Sequence, residues 1–306
     1  MAQRFDVHRS TKSWMLNSNL VNTRCIYYRI KSAQADPDNL TMCPILDFAN
    51  HTTSSPTVVP QASSADIWDM APPRHSSEGI TLLSPREKTV EEGEELHLRY
   101  GFHSNQFLFT EYGFATESER GCIDITPAIE ELLNERGKVG QWLKERLQEE
   151  GYWGCAFPNF AFVTCTNNPV GREWTLHAAP APAHPSFRSI AALRLYTALP
   201  DNLEGAESFS GAEDVLDVWR ATVLGNREWI SRENEVRWKK ILLEVCKQIV
   251  TVSANRRESV LAQLESRKAE GDSSAEPIVS SIVCLWDEEA YVAESVIESL
   301  HQGVPF

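Results

Sequence analysis

Apolar and polar positions follow two different rhythms along this chain, and the change falls near residue 125. In the front part, Trp14, Leu16, Leu20, Val21 and Ile26 predict a helix over 13–31. Asp36-Pro37-Asp38 marks a turn, and an apolar strand-like run over 42–49 leads into Asn50-His51. Residues 52–79 are rich in Ser, Thr, Pro and Ala and read as an irregular loop. Ile80-Thr81-Leu82-Leu83 predicts a strand. Glu91-Glu92-Gly93 predicts a turn, after which Leu96, Leu98 and Tyr100 alternate with His97 and Arg99 across two strand faces.

Behind residue 125 the period becomes helical. Ile129, Leu132 and Leu133, then Val139, Trp142, Leu143 and Leu147, recur at three-four spacing. Ser186 reads as an N-cap for a helix whose face carries Phe187, Ile190, Ala191, Leu195 and Leu199. Further helices are expected over 212–224, 228–252, 256–268 and 276–300, with Lys268 to Ser274 as the last connecting loop. The pattern describes an α+β front part and an all-α rear part, with domains at 1–120 and 121–306.

Composition narrows the function classes. With 42% hydrophobic and 24% charged residues in 306, the chain is ordinary globular material. No apolar run is long enough to span a bilayer, and the first residues hold no signal-peptide core. A net charge of −14 argues against nucleic-acid binding and suits a basic protein partner. The seven cysteines are scattered without a CxxC pair, so they read as reduced thiols in a cytoplasmic or nuclear protein, and no metal site is expected.

Few residues carry chemistry on type alone. Asn50 offers an amide that can fix a polar ligand, and His51 follows it; a turn residue beside a satisfied histidine is the plainer reading. Tyr100 at a strand end, and the Tyr112-Gly113-Phe114 triplet, read as core aromatics or as walls of a flat pocket. Arg24 reads as a surface arginine, and His75, His97, His103 and His177 as structural or exposed. No nucleophile elbow or phosphate loop is present.

The order and spacing of these pieces add what each lacks. Pro44-Ile45-Leu46-Asp47-Phe48-Ala49-Asn50-His51 and Gly93-Glu94-Glu95-Leu96-His97-Leu98-Arg99-Tyr100-Gly101, continued by Ser104-Asn105 and Tyr112-Gly113-Phe114, resemble the C-terminal half of a SET domain. The subgroup resembled is the Rubisco large-subunit methyltransferase type, in which a helical insertion interrupts the SET β-fold and a helical substrate-binding domain follows. Trp14 to Arg24 resembles the end of the insertion. Trp174-Thr175-Leu176-His177, Pro185-Ser186-Phe187 and Ala192-Leu193-Arg194 resemble the start of the helical domain.

The resemblance implies a protein-lysine N-methyltransferase using S-adenosylmethionine and a protein substrate that presents a lysine. Asn50 and His51 are then cofactor residues, and Tyr100 is the active-site tyrosine. Tyr112 and Phe114 line the lysine channel or adenine pocket, and Arg24 stands near both. A catalytically inactive SET fragment acting as a protein-interaction module, or a protein-histidine methyltransferase, are the alternative readings. A full SET domain also carries early strands and a Gly-x-Gly turn. The first glycine here is Gly79, so the sequence is expected to be an incomplete SET domain. Weak cofactor binding and little or no methylation follow from that.

Overall fold

The computed structural model describes residues 24–27, 40–62, 80–86, 89–101, 103–116, 121–153, 174–199, 211–272 and 274–306. The chain divides into two compact units, Met1–His103 with Phe107–Phe114, and Ser104–Gln106 with Ala115–Phe306. Trp14 and the body of the expected insertion helix lie outside the described residues.

The first unit is built from short strand pairs. β1 (Cys25–Tyr27) runs antiparallel to β2 (Leu40–Met42), with Ile26 opposite Thr41. The expected helix over 13–31 is therefore wrong at its C-terminal end: Cys25-Ile26-Tyr27 supplies a β-branched and an aromatic residue and pairs with Leu40–Met42, while the expected turn at Asp36-Pro37-Asp38 lies outside the described residues. β3 (Asn50–His51) lies parallel to β6 (His97–Leu98), with Asn50 opposite His97 and His51 opposite Leu98. β4 (Val59–Ala62) pairs antiparallel with β5 (Ile80–Leu83). The loop expected over 52–79 thus contains a strand, hidden in the sequence by Pro60. A proline is tolerated in a two-stranded ribbon because each strand has an edge without ladder bonds.

The run 42–49 is not a strand throughout. Leu46–Phe48 forms a 3-10 turn, whose period of three places Leu46 and Ala49 inward and Ile45 and Phe48 outward. Leu46 and Ala49 join Val58 and Leu98 in a small core, with Cys43 and Tyr100 packed on it, while Ile45 is 80% and Phe48 85% exposed. Residues 96–100 keep only part of their expected alternation: Leu98 is buried and Tyr100 half-buried, but Leu96 precedes the paired residues and is exposed. Thr57 and Val58 both donate backbone N–H groups to the His97 carbonyl, at 3.0 and 3.1 Å. Arg99 donates to the carbonyls of Thr53 and Ser54 at 3.2 and 2.7 Å. The loop after β3 is therefore tied to β6 along its length.

α1 (Asn105–Tyr112) follows Tyr100-Gly101 in the chain. In the second unit, β7 (Cys122–Asp124), β8 (Thr175–His177) and β9 (His184–Pro185) form one antiparallel sheet, Ile123 opposite Leu176 and Leu176 opposite Pro185. The rear part is therefore not all-α. Strands of two or three residues are too short to display alternation, which is why helical periodicity dominates the pattern there.

Helices α2 (Thr126–Glu135), α3 (Gly137–Glu149), α4 (Phe187–Ala198), α5 (Ala212–Val223), α6 (Arg232–Ala269) and α7 (Glu276–His301) complete the unit. Their shared core includes Ile129, Leu143, Leu193, Trp174, Trp219 and Trp238, the three tryptophans fully buried. The Ser186 hydroxyl accepts from the Ser189 N–H, so it caps α4 as expected. Two expected helices, 228–252 and 256–268, are one 38-residue helix. Ser253-Ala254-Asn255 lacks the Gly or Pro that would end it, and Ser253 instead donates to Glu289 of α7 at 3.2 Å. Arg194 of α4 makes two bonds to the Glu235 carboxylate of α6, 2.7 and 3.1 Å, which also accepts from the Trp238 indole at 2.9 Å.

Among the described residues no helix is long and apolar enough to cross a membrane. Among the same residues no group of three or more His, Cys, Asp or Glu side chains is placed to hold a metal ion.

Candidate functional site

The parallel pairing of β3 with β6 does the first work of assembly. It sets His51 opposite Leu98, two residues short of Tyr100. The Tyr100 backbone N–H donates to Nδ1 of His51 at 3.1 Å, and the Tyr100 hydroxyl donates to the Ala49 carbonyl at 3.0 Å. Tyr100 is thus fastened at both ends to the segment that carries Asn50-His51.

The chain then returns the other aromatics to the same place. The Gly113 N–H closes α1 on the Phe109 carbonyl at 3.1 Å, and Gly113 adopts φ +81, a left-handed conformation that glycine enters without penalty. The reversal places the residues on either side of Gly113 against Tyr100 and His51. Ring centroids lie 5.0 Å apart for Tyr100 and Tyr112, 5.2 Å for His51 and Tyr100, 6.0 Å for His51 and Phe114, and 6.1 Å for Tyr112 and Phe114. All four pairs are tilted, the arrangement that ring quadrupoles favour over face-to-face stacking.

The electrostatics leave these groups uncharged at neutral pH. Burial, aided by His103 and Arg99, brings His51 down to about 4. Because Nδ1 accepts from Tyr100, the neutral ring carries its proton on Nε2. Burial raises the Tyr100 phenol, Asp47 raising it further and Arg24 opposing. Burial likewise raises Tyr112, with Tyr100 and Glu111 adding to it. Arg24 itself pairs with Asp47 at 2.9 Å, beside the tyrosine it influences.

Of the six residues singled out from sequence, His51, Tyr100, Tyr112 and Phe114 meet in one cluster, and Arg24 acts on Tyr100 from the Asp47 pair. Asn50 does not join the rings. It is exposed and its amide donates to Oε1 of Glu95, as expected for the strand neighbour of an inward His51. Sequence reasoning missed Asp47, Glu95 and Phe107. His103, expected to be structural or exposed, packs its ring on Phe107 with centroids 4.2 Å apart, and Phe107 in turn lies 6.4 Å from Tyr112. No signal in residue type or spacing joins His103 to Phe107, because His103 precedes the helix that carries Phe107.

Chemically the cluster offers aromatic faces, a neutral imidazole and a neutral phenol, with no thiol or carboxylate nucleophile in it. That donor set suits a cationic, flat or alkyl-ammonium ligand better than an anion.

The chain matches no protein-family model. It is similar to ribosomal lysine N-methyltransferase set11 of Schizosaccharomyces pombe, 30% identical over 225 residues, which is 74% of this chain and 46% of that protein. Ribosomal lysine N-methyltransferase 2 of Saccharomyces cerevisiae is 35% identical over 146 residues, 44% of this chain and 28% of that protein. Human SET domain-containing protein 4 is 27% identical over 288 residues, 92% of this chain and 52% of that protein. The chain spans about half the length, or less, of the curated relatives it matches, two of which are named ribosomal lysine N-methyltransferases and the third a SET domain-containing protein.

Proposed function

We propose that the protein is an S-adenosylmethionine-dependent protein-lysine N-methyltransferase of the Rubisco large-subunit methyltransferase type. The observation that carries this reading is the fastening of Tyr100. Its hydroxyl sits on the Ala49 carbonyl and its backbone on His51, inside the ring of Tyr112 and Phe114. Homology to lysine methyltransferases supports the reaction class.

The residues present fit the cofactor. Aromatic faces attract a sulfonium, and the neutral His51 adds no repulsive charge. His51, Tyr112 and Phe114 are the residues assigned to hold it, with Asn50 and Arg24 at the margin. When bound, S-adenosylmethionine supplies a methyl group on a positively charged sulfur. What the chain contributes is binding, orientation and a dry surface. Lysine has a reference pKa of about 10.4, so its ammonium must lose a proton before it can react. Loss of hydration inside the half-buried site, and repulsion from a positive sulfonium beside it, disfavour the charged form and help that loss. The Tyr100 hydroxyl, whose proton is committed to Ala49, presents its lone pairs to an N–H of the amine and aims the nitrogen, so that catalysis is chiefly positioning.

Saturating cofactor is used in its test. The names of two relatives make ribosomal proteins the first substrates to try. Transfer of labelled methyl to lysine, lost in Tyr100→Phe, supports the reading; equal transfer by both proteins sinks it. The exposed Ile45 and Phe48 favour a second reading, a catalytically inactive SET fragment that binds another protein. That reading predicts no transfer at any cofactor concentration.

A further inference from the structure

α1 and the turn behind it carry Tyr112, Gly113 and Phe114, and one side chain closes this segment at its base. Asn105 opens the helix. Its Nδ2 donates to the Thr116 carbonyl at 2.7 Å, and its Oδ1 accepts from the Thr116 backbone N–H at 2.8 Å. Asn105 is 2% exposed, and its own backbone N–H donates to the Glu288 carboxylate at 3.0 Å. A carboxamide holds a donor and an acceptor side by side, which is what gripping both main-chain groups of one residue requires. The two bonds close residues 106–115 into a loop, and Phe114 is joined to the clasp through Ala115 alone.

We propose that Asn105 is a positioning residue for Phe114 and Tyr112: by gripping Thr116 it fixes the ends of the loop on which the two rings stand, and so presets the aromatic wall that receives the cofactor. The inference rests on the methyltransferase reading of the same site. Tyr100 is fastened separately, through Ala49 and His51. Loss of the clasp therefore loosens the wall and leaves the tyrosine hydroxyl on its own bond. The cost falls on binding, because rings that are not preset must be ordered when the ligand arrives. A buried asparagine that did no more than satisfy main chain would change stability alone.

Three variants separate these roles. Asn105→Leu keeps the volume and removes both bonds. Asn105→Gln keeps both groups on an arm one methylene longer. Ser186→Ala lowers stability at α4 and leaves the clasp intact. With folding verified by thermal melting, Asn105→Leu is expected to raise KM for S-adenosylmethionine about tenfold, with kcat within about twofold. Asn105→Gln is expected to recover part of the loss, and Ser186→Ala to leave KM unchanged. If Asn105→Leu does not fold, Asn105→Ser, whose hydroxyl can keep one of the two bonds, takes its place with the same expected directions. KM unchanged without the clasp, a loss confined to kcat, or an equal rise of KM in Ser186→Ala overturns the proposal.

A readout without turnover keeps the two readings apart. If the wild-type chain transfers no more methyl than Tyr100→Phe, the methyltransferase reading fails. The role of Asn105 is then decided by the ring-to-ring NMR cross-peaks of Tyr100 with Tyr112 and of His51 with Phe114, whose centroids lie 5.0 and 6.0 Å apart. Cross-peaks weakened in Asn105→Leu and partly restored in Asn105→Gln support it; cross-peaks unchanged in Asn105→Leu overturn it.

Discussion

The backbone N–H of Tyr100 donates to Nδ1 of His51 at 3.1 Å, across forty-nine residues of sequence. This bond needs an unprotonated Nδ1, and burial helps to keep it so by lowering His51 from 6.5 to about 4. A base with a depressed folded-state pKa binds fewer protons folded than unfolded in that window. Stability is therefore full above about pH 6.5 and falls as the pH drops toward 4. His103 and His177, also lowered by burial, act in the same direction. Denaturation midpoints at pH 7 and pH 5 are expected to differ less in His51→Gln than in the wild type. An equal difference in both removes His51 from the account.

Arg24 and Asp47 oppose each other at Tyr100. Their ion pair is partly exposed, so Arg24→Ala is expected to cost less than about 1 kcal/mol of stability. Its effect is electrostatic: Arg24→Ala leaves Asp47 unopposed and raises the Tyr100 phenol further, whereas Asp47→Ala brings it down. Titration of the Tyr100 Cζ resonance reads both signs. Shifts in one direction for both variants contradict the pairing.

In the second unit, Glu235 is the acceptor for Arg194 and for the Trp238 indole. Glu235→Ala leaves a half-dry guanidinium and a fully buried indole N–H without that acceptor. The expected loss is about 3–5 kcal/mol, the range for breaking a buried pair from one side. Ser186→Ala, by contrast, removes the cap bond from the Ser189 N–H together with the hydroxyl's bonds to the Thr175 N–H and the Ser189 hydroxyl, and is expected to cost about 1–2 kcal/mol. Urea denaturation that ranks the two variants in the reverse order contradicts the burial described for α4 and α6.

What the sequence showed and what it hid divide along physical lines. Long periodic stretches were legible: Ile129 to Leu147, the Ser186 cap and the helix over Ala212–Val223 are where the spacing put them. Strands of two to four residues were not, because Cys122–Asp124, Thr175–His177 and Val59–Ala62 are shorter than the window in which alternation can be counted. The same limit hid the 3-10 turn at Leu46–Phe48, where an apolar run of period three looks like a strand. The residues of the cluster were legible as a set because a motif order named them. Their joints were not. Neither the Ala49 carbonyl under Tyr100 nor the His103 ring over Gly101 has a signature in residue type. Asn50 carries the opposite lesson, since it neighbours His51 in sequence while its amide turns to Glu95.

The most direct test of the whole account is transfer of labelled methyl from saturating S-adenosylmethionine to ribosomal protein, by the wild-type chain and by Tyr100→Phe. The substitution removes one hydroxyl and its bond to Ala49, costing about 1 kcal/mol of stability, so both proteins remain folded. The account predicts slow transfer to lysine by the wild type and a loss of about a hundredfold in the variant. Transfer that is undiminished in Tyr100→Phe, or that is absent from the wild type at every cofactor concentration, contradicts it.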